Sequence, residues 1–130
     1  MAILCVPTMS KATYRLACLE AKPRLARILD IPYDLNGSIL IDAGGVGVYV
    51  ACAADMGVRY VGSVHRPTSP HGLTDRIMEH RLKSPERRAA WRYVWFVPMH
   101  TGATLAEVRR AEARIGAMLR PPMTQRLPIG

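Results

Sequence analysis

A chain of 130 residues, 49% apolar and carrying a net charge of +8, has material for one modest core and a small appendage. No apolar run approaches the roughly 20 residues of a membrane span, so no membrane segment is expected. Cys5, Cys18 and Cys52 are odd in number and lack metal-clamp spacing, which disfavours both a disulfide frame and a cysteine metal site.

Residues Met1–Met9 lack a basic n-region and a full apolar h-region, so no signal peptide is expected, and the thiols read as reduced core groups of a cytoplasmic protein. Charge is balanced over residues 1–57, and the whole excess falls in residues 58–130, mostly as arginine. A basic half rich in arginine suits a polyphosphate partner, because guanidinium groups pair bidentately with phosphate. A solvated basic face is the plain alternative.

Residues 11–30 read as helix with Ser10 as N-cap. Pro23 splits it, because the residue before a proline is pushed out of helix. LARILDIP (25–32) admits either a packing helix or part of a helix-turn-helix. Asn36-Gly37 signals a turn, Ser38–Ile41 is a candidate extra strand, and Gly44-Gly45 a hinge. The stretch GVYVACAADMGVRYVG (47–62) then reads as a hairpin. Val46, Val48 and Val50 make one apolar face, and Tyr49 stands with Gly47 and Ala51 on the other. Asp55, Met56 and Gly57 supply the turn, with Gly57 able to take a positive φ. A loop over Asp55–Val58, pairing Tyr49 with Val64, sets Tyr49 and Tyr60 on one face.

Pro67–Gly72 reads as loop, Leu73 to about Leu82 as helix, and Trp91–Val97 as a third strand with Trp91, Tyr93 and Trp95 in the core. Thr104 with Glu107 three residues on is a capping box, opening a helix to about Leu119. Leu105, Val108, Glu112, Ile115 and Leu119 recur at helical spacing, which puts Glu112 in or beside the apolar stripe. Arg76 and His80, four apart, share a helix face.

The GVY…YVG pair, the strand–strand–helix–strand–helix order, Arg76 with His80, and Glu112 followed by ARIGAMLRPP together resemble the GIY-YIG nuclease superfamily. Val48 and Val61 stand where the signature has isoleucine. The resemblance covers about residues 46–124. It implies an α+β fold with a small three-stranded antiparallel sheet flanked by helices over residues 45–124, after a helical extension (1–44) and before a tail (125–130).

It also implies a metal-dependent endonuclease hydrolysing DNA, with RNA not excluded. Glu112 would hold one Mg²⁺ or Mn²⁺, a hard ion suited to a carboxylate, or else pair with Arg109 or Arg114. Tyr49 would be the general base, its proton drawn off by Arg76 and the metal, and Tyr60 would hold the water or a phosphate oxygen. Either tyrosine could instead be a packing residue. Arg76 would grip the phosphate, or pair with Asp75 or Glu79. His80 could shuttle a proton near neutral pH. Arg59, His65, Arg66 and Arg81 are candidate backbone contacts. The family usually has an asparagine after the prolines; here Thr124 or Gln125 stands in its place. Specificity would come from residues 1–44, a homodimer or a protein partner. A non-catalytic nucleic-acid-binding module on the same fold, and a protein-interaction factor, are the alternatives.

Overall fold

The computed structural model describes residues 7–37 and 43–119. Among them the chain forms an α+β unit with helices on both faces of a four-stranded antiparallel sheet. The elements are α1 (Lys11–Glu20), β1 (Tyr33–Asp34), β2 (Val46–Cys52), β3 (Val58–His65), α2 (Gly72–Lys83), α3 (Pro85–Ala90), β4 (Tyr93–Pro98) and α4 (Leu105–Leu119). Strand order is β1-β4-β2-β3. The expected three strands are all present, and the fourth comes from Tyr33–Asp34, which pair with Val94 and Tyr93. The candidate strand Ser38–Ile41 lies outside the described residues, as do Cys5, the prolines 121–122 and the tail.

The alternation in β2 sorts two cores. Val46, Val48 and Val50 pack with Val61, Trp95, Val97, with Tyr14, Ala17 and Cys18 of α1, and with Val108, Ala111, Ile115 and Leu119 of α4. Tyr49 and Ala51 pack on the other face with Tyr60, Val64, Phe96, and with Leu73 and Ile77 of α2. Being central, β2 is buried along its full length. The face that carries Tyr49 is therefore covered.

Ser10 caps α1 by accepting from the Thr13 N–H at 3.1 Å. The second helix expected after Pro23 does not form. Ala26 N–H donates to Pro98 O and His100 N–H to Arg24 O, both at 2.9 Å, so this stretch pairs with the end of β4. A helix-turn-helix over LARILDIP is thereby excluded. The Tyr14 hydroxyl donates to Phe96 O at 2.7 Å and accepts from Leu29 N–H at 3.0 Å, fastening α1 and the extended segment to the sheet. The capping box at α4 forms in both directions: Thr104 N–H donates to Glu107 Oε1 at 2.9 Å and Glu107 N–H to Thr104 Oγ1 at 3.1 Å. Cys18 and Cys52 are free and buried.

The hairpin departs from expectation in its turn and register. Met56, not Gly57, takes the left-handed conformation (φ 69°), held by Gly57 N–H donating to Asp55 Oδ1 at 2.9 Å. Tyr49 pairs with Gly62 rather than Val64, and Ala51 with Tyr60, but Cys52 pairs with Val58. Arg59 is thus the extra residue of a β-bulge. In a regular strand Val58 and Tyr60 would share a face. The bulge separates them, leaving Val58 with the α1/α4 core and moving Tyr60 onto the face of Tyr49.

Candidate functional site

Strand β3 is an edge of the sheet, and a cavity of about 550 Å³ lies along its second half. Gly62, Ser63, His65 and Arg66 line its floor, with Tyr60 at one end. Arg76 enters from α2 on one face of the sheet, and Arg109 and Glu112 enter from α4 on the other. Tyr49 and Glu112 thus stand on opposite faces, whereas the expected part of a Glu112-held metal in drawing off the Tyr49 proton needs the two in one pocket. Their elements meet only around the edge.

Gly62 is what lets Tyr49 reach that edge. The tyrosine ring crosses directly over it, and a Cβ at Gly62 would lie 2.5 Å from Tyr49 Oη. Tyr49 Oη is 2.8 Å from His80 Nε2, and the Arg76 charge acts on the same phenol, so the two residues four apart on α2 both bear on Tyr49, as their spacing allows. The Tyr49 and Tyr60 rings stack with centroids 6.1 Å apart.

The electrostatics of the resting site bear on two expected roles. Tyr49 is fully buried, and desolvation raises its pKa well above the ordinary phenol value, reinforced by Tyr60 and outweighing Arg76. A resting phenolate base is therefore not what this environment favours. His80 is pushed down to about 4, first by burial and then by Arg76 and Arg87. This favours the neutral imidazole at pH 7, so proton transfer through its charged form is costly there. Burial also raises Tyr60, against Arg87, which lowers it.

Glu112 is half-buried beside the apolar stripe and accepts a short hydrogen bond from Ser63 Oγ. Ser63 faces Val48 across the ladder, which aims its hydroxyl at α4. Glu79 pairs with Arg66 at 3.0 Å and with Arg76 at 3.5 Å, so the surface pairing foreseen for Arg76 exists alongside its contact with Tyr49. His65 donates from Nε2 to Ala103 O at 2.9 Å, binding the strand to the turn before α4. Arg59 points outward from the bulge and Arg81 sits on α2 with its Nε buried; neither lines the cavity. Thr124 and Gln125 lie outside the described residues.

Two participants were not foreseen, and a third has a further place. Arg109, expected only as an ion-pair partner of Glu112, precedes it by three on the same helix face and lines the cavity. Ser63 adjoins the YVG triplet. Arg87 comes from α3, which the sequence reading left unassigned, and its NH1 lies 2.5 Å from His80 Nδ1. Its guanidinium also stands 5.0 Å from the Tyr60 ring centroid and 5.7 Å from that of Trp91.

Glu112 and Ser63 offer hard oxygen donors at the cavity wall, which fits a divalent cation such as Mg²⁺. Arg66, Arg76 and Arg109 around them repel a lone cation but attract a phosphate, so the donor set fits an ion arriving with a phosphate. Among the described residues no group of three or more His, Cys, Asp or Glu could hold a metal, so protein ligands alone would leave most of the coordination to water or substrate. No helix among these residues is long and apolar enough to cross a membrane. Compared with family models, curated proteins and solved structures, the chain matches none.

Proposed function

We propose that the chain is a metal-dependent endonuclease that hydrolyses DNA phosphodiester bonds at the β3 edge, with a site built in the GIY-YIG manner. The observation that carries this reading is the convergence there of guanidinium groups from both faces of the sheet, a half-buried carboxylate and the Tyr60 phenol, with the Tyr49 phenol buried behind Gly62. Arg76 and Arg109 flank the cavity and suit the two free oxygens of a phosphodiester. Glu112, oriented by Ser63, would hold Mg²⁺ or Mn²⁺, which when bound neutralises a phosphate oxygen and assists the leaving oxygen. Tyr60 borders the cavity and can hold the attacking water by its hydroxyl. Tyr49 is the base candidate once bound charge offsets the burial penalty on its phenolate.

The test is magnesium-dependent nicking of supercoiled plasmid. Wild type should nick, while Glu112→Gln and Arg76→Met should lose at least about a hundredfold in rate, the usual scale for removing one stabilising group. Persistent nicking in Glu112→Gln refutes the assignment. A second reading is favoured by the burial of Tyr49: a nucleic-acid-binding module without catalysis. Salt-sensitive DNA binding with no cleavage in any divalent metal would establish it.

A further inference from the structure

A hydrogen-bonded chain runs Arg87–His80–Tyr49, and its polarity can be read from one end. A guanidinium has donors and no acceptor. Arg87 NH1, 2.5 Å from His80 Nδ1, therefore meets a lone pair on that nitrogen. A neutral imidazole so engaged carries its proton on Nε2, and Nε2 is 2.8 Å from Tyr49 Oη. His80 thus donates and the phenol oxygen accepts. The Arg76 charge acts on the same phenol. With His80 as donor, the phenol's own proton must point elsewhere, and the oxygen lies against the bare backbone of Gly62, a residue that lines the cavity.

We propose that Arg87 is a positioning residue of the site: it locks His80 in the Nε2–H tautomer and thereby keeps Tyr49 Oη, buried behind Gly62 at the edge of the cavity, an acceptor of the His80 hydrogen bond. An N–H donor aimed at the phenol oxygen, with the Arg76 charge acting beside it, favours the phenolate form and opposes the burial penalty. Without Arg87 the imidazole is free to carry its proton on Nδ1. Tyr49 would then donate its proton to Nε2, reversing the chain and leaving the oxygen a donor to the imidazole. The same guanidinium rests against Tyr60 and Trp91, so α3 orients both phenols, one through an imidazole and one by its ring face. The groups around His80 are Tyr49 from β2, Tyr60 from β3, Arg87 from α3, and Arg76, Glu79 and Lys83 of its own helix. The catalytic consequence rests on the nuclease reading above. The tautomer does not.

The experiment is ¹⁵N NMR of the histidine imidazoles in the full chain, for wild type, Arg87→Met and Arg87→Lys, with His80→Gln to assign the resonances. In wild type His80 should be the Nε2–H tautomer at pH 7 and stay neutral to about pH 5, far below an ordinary histidine. Arg87→Met, which keeps apolar cover on the rings, should shift His80 toward the Nδ1–H form and raise its titration midpoint. Arg87→Lys, retaining a donor, should restore the wild-type pattern. An Nδ1–H tautomer in wild type, or an Arg87→Met spectrum unchanged from wild type, overturns the proposal. In the nicking assay Arg87→Met should cost about tenfold to a hundredfold in kcat with little change in KM, the scale seen when an orienting partner is lost, and its pH–rate profile should move to higher pH. Wild type that fails to nick refutes the nuclease reading and leaves the tautomer result to be judged on the spectra.

Discussion

Replacing Gly62 by alanine tests the packing on which the site depends. The new Cβ would fall 2.5 Å from Tyr49 Oη, 2.6 Å from Tyr49 Cζ and 2.7 Å from Tyr60 Cε2. Real Cβ atoms do not come this close, so the rings must move. Neither has slack: Tyr49 is fully buried and fastened to His80, and Tyr60 is only 7% exposed. Overpacking of this kind costs about 1–3 kcal/mol, and losing the Tyr49–His80 bond adds about 1 kcal/mol. Alanine returns roughly 0.5–1 kcal/mol through lower chain entropy in the unfolded state. The balance is about 2 kcal/mol of destabilisation, or a fall in Tm of about 5–10 °C for a chain of this size. Gly37→Ala is the matched control, since nothing lies within 4 Å of its added Cβ, and it should be neutral or slightly stabilising. Thermal melts of both variants decide the matter. If Gly62→Ala melts within a degree or two of Gly37→Ala, Tyr49 does not cross Gly62, and its route to the cavity edge is lost.

His80, with an ordinary pKa of 6.5 lowered to about 4 in the fold, takes up its proton more readily when unfolded. Its contribution is therefore complete above about pH 6.5 and drains away as pH falls toward 4, by up to about 3 kcal/mol; in His80→Gln the urea midpoint should lose that dependence between pH 6.5 and 4. Glu107, held down to about 2 by the Thr104 N–H and Arg24, acts in the same direction at lower pH, between about 4.5 and 2. Thr104→Ala removes the acceptor for the Glu107 N–H and should cost about 1 kcal/mol in urea unfolding. Ile115→Ala hollows the α4 core, where Ile115 is fully buried, and should cost about 2–4 kcal/mol.

Local rules carried the sequence reading as far as local rules reach. The capping box at Thr104, the period-2 alternation of β2 and the four-residue spacing of Arg76 and His80 depend on neighbours within a turn or two, and each recurs in the structure. What failed depends on remote partners. Residues 24–26 have a helical look, but the end of β4 offers their backbone sheet-like bonds, and tertiary pairing overrides weak helix propensity. Two-residue β1 is too short to carry a period. The bulge at Arg59 left no mark in composition, because Val58, Arg59 and Tyr60 suit a regular strand equally well. Tyr60 nonetheless reaches the expected face, by a different register from the one anticipated. Arg87 was out of reach for the same reason: its meaning lies in what α3 folds against.

The edge position of β3 explains why residues from opposite faces of one sheet can act together. Across the middle of a sheet the backbone separates the two layers completely, so α2 and α4 could share no ligand there. At an edge nothing closes the ladder, and a ligand can touch both layers while resting on the strand. Two local features then decide which groups reach that line. The bulge moves Tyr60 to the α2 side, and the bare backbone of Gly62 lets the Tyr49 ring extend outward over the strand. Ser63, the next residue, necessarily points the other way and meets Glu112. Alternation along two consecutive residues thus recruits a phenol from one layer and a carboxylate from the other. Shifting the strand by one residue would exchange those recruits, which makes the Arg59 bulge as much a determinant of the site as any side chain that lines it.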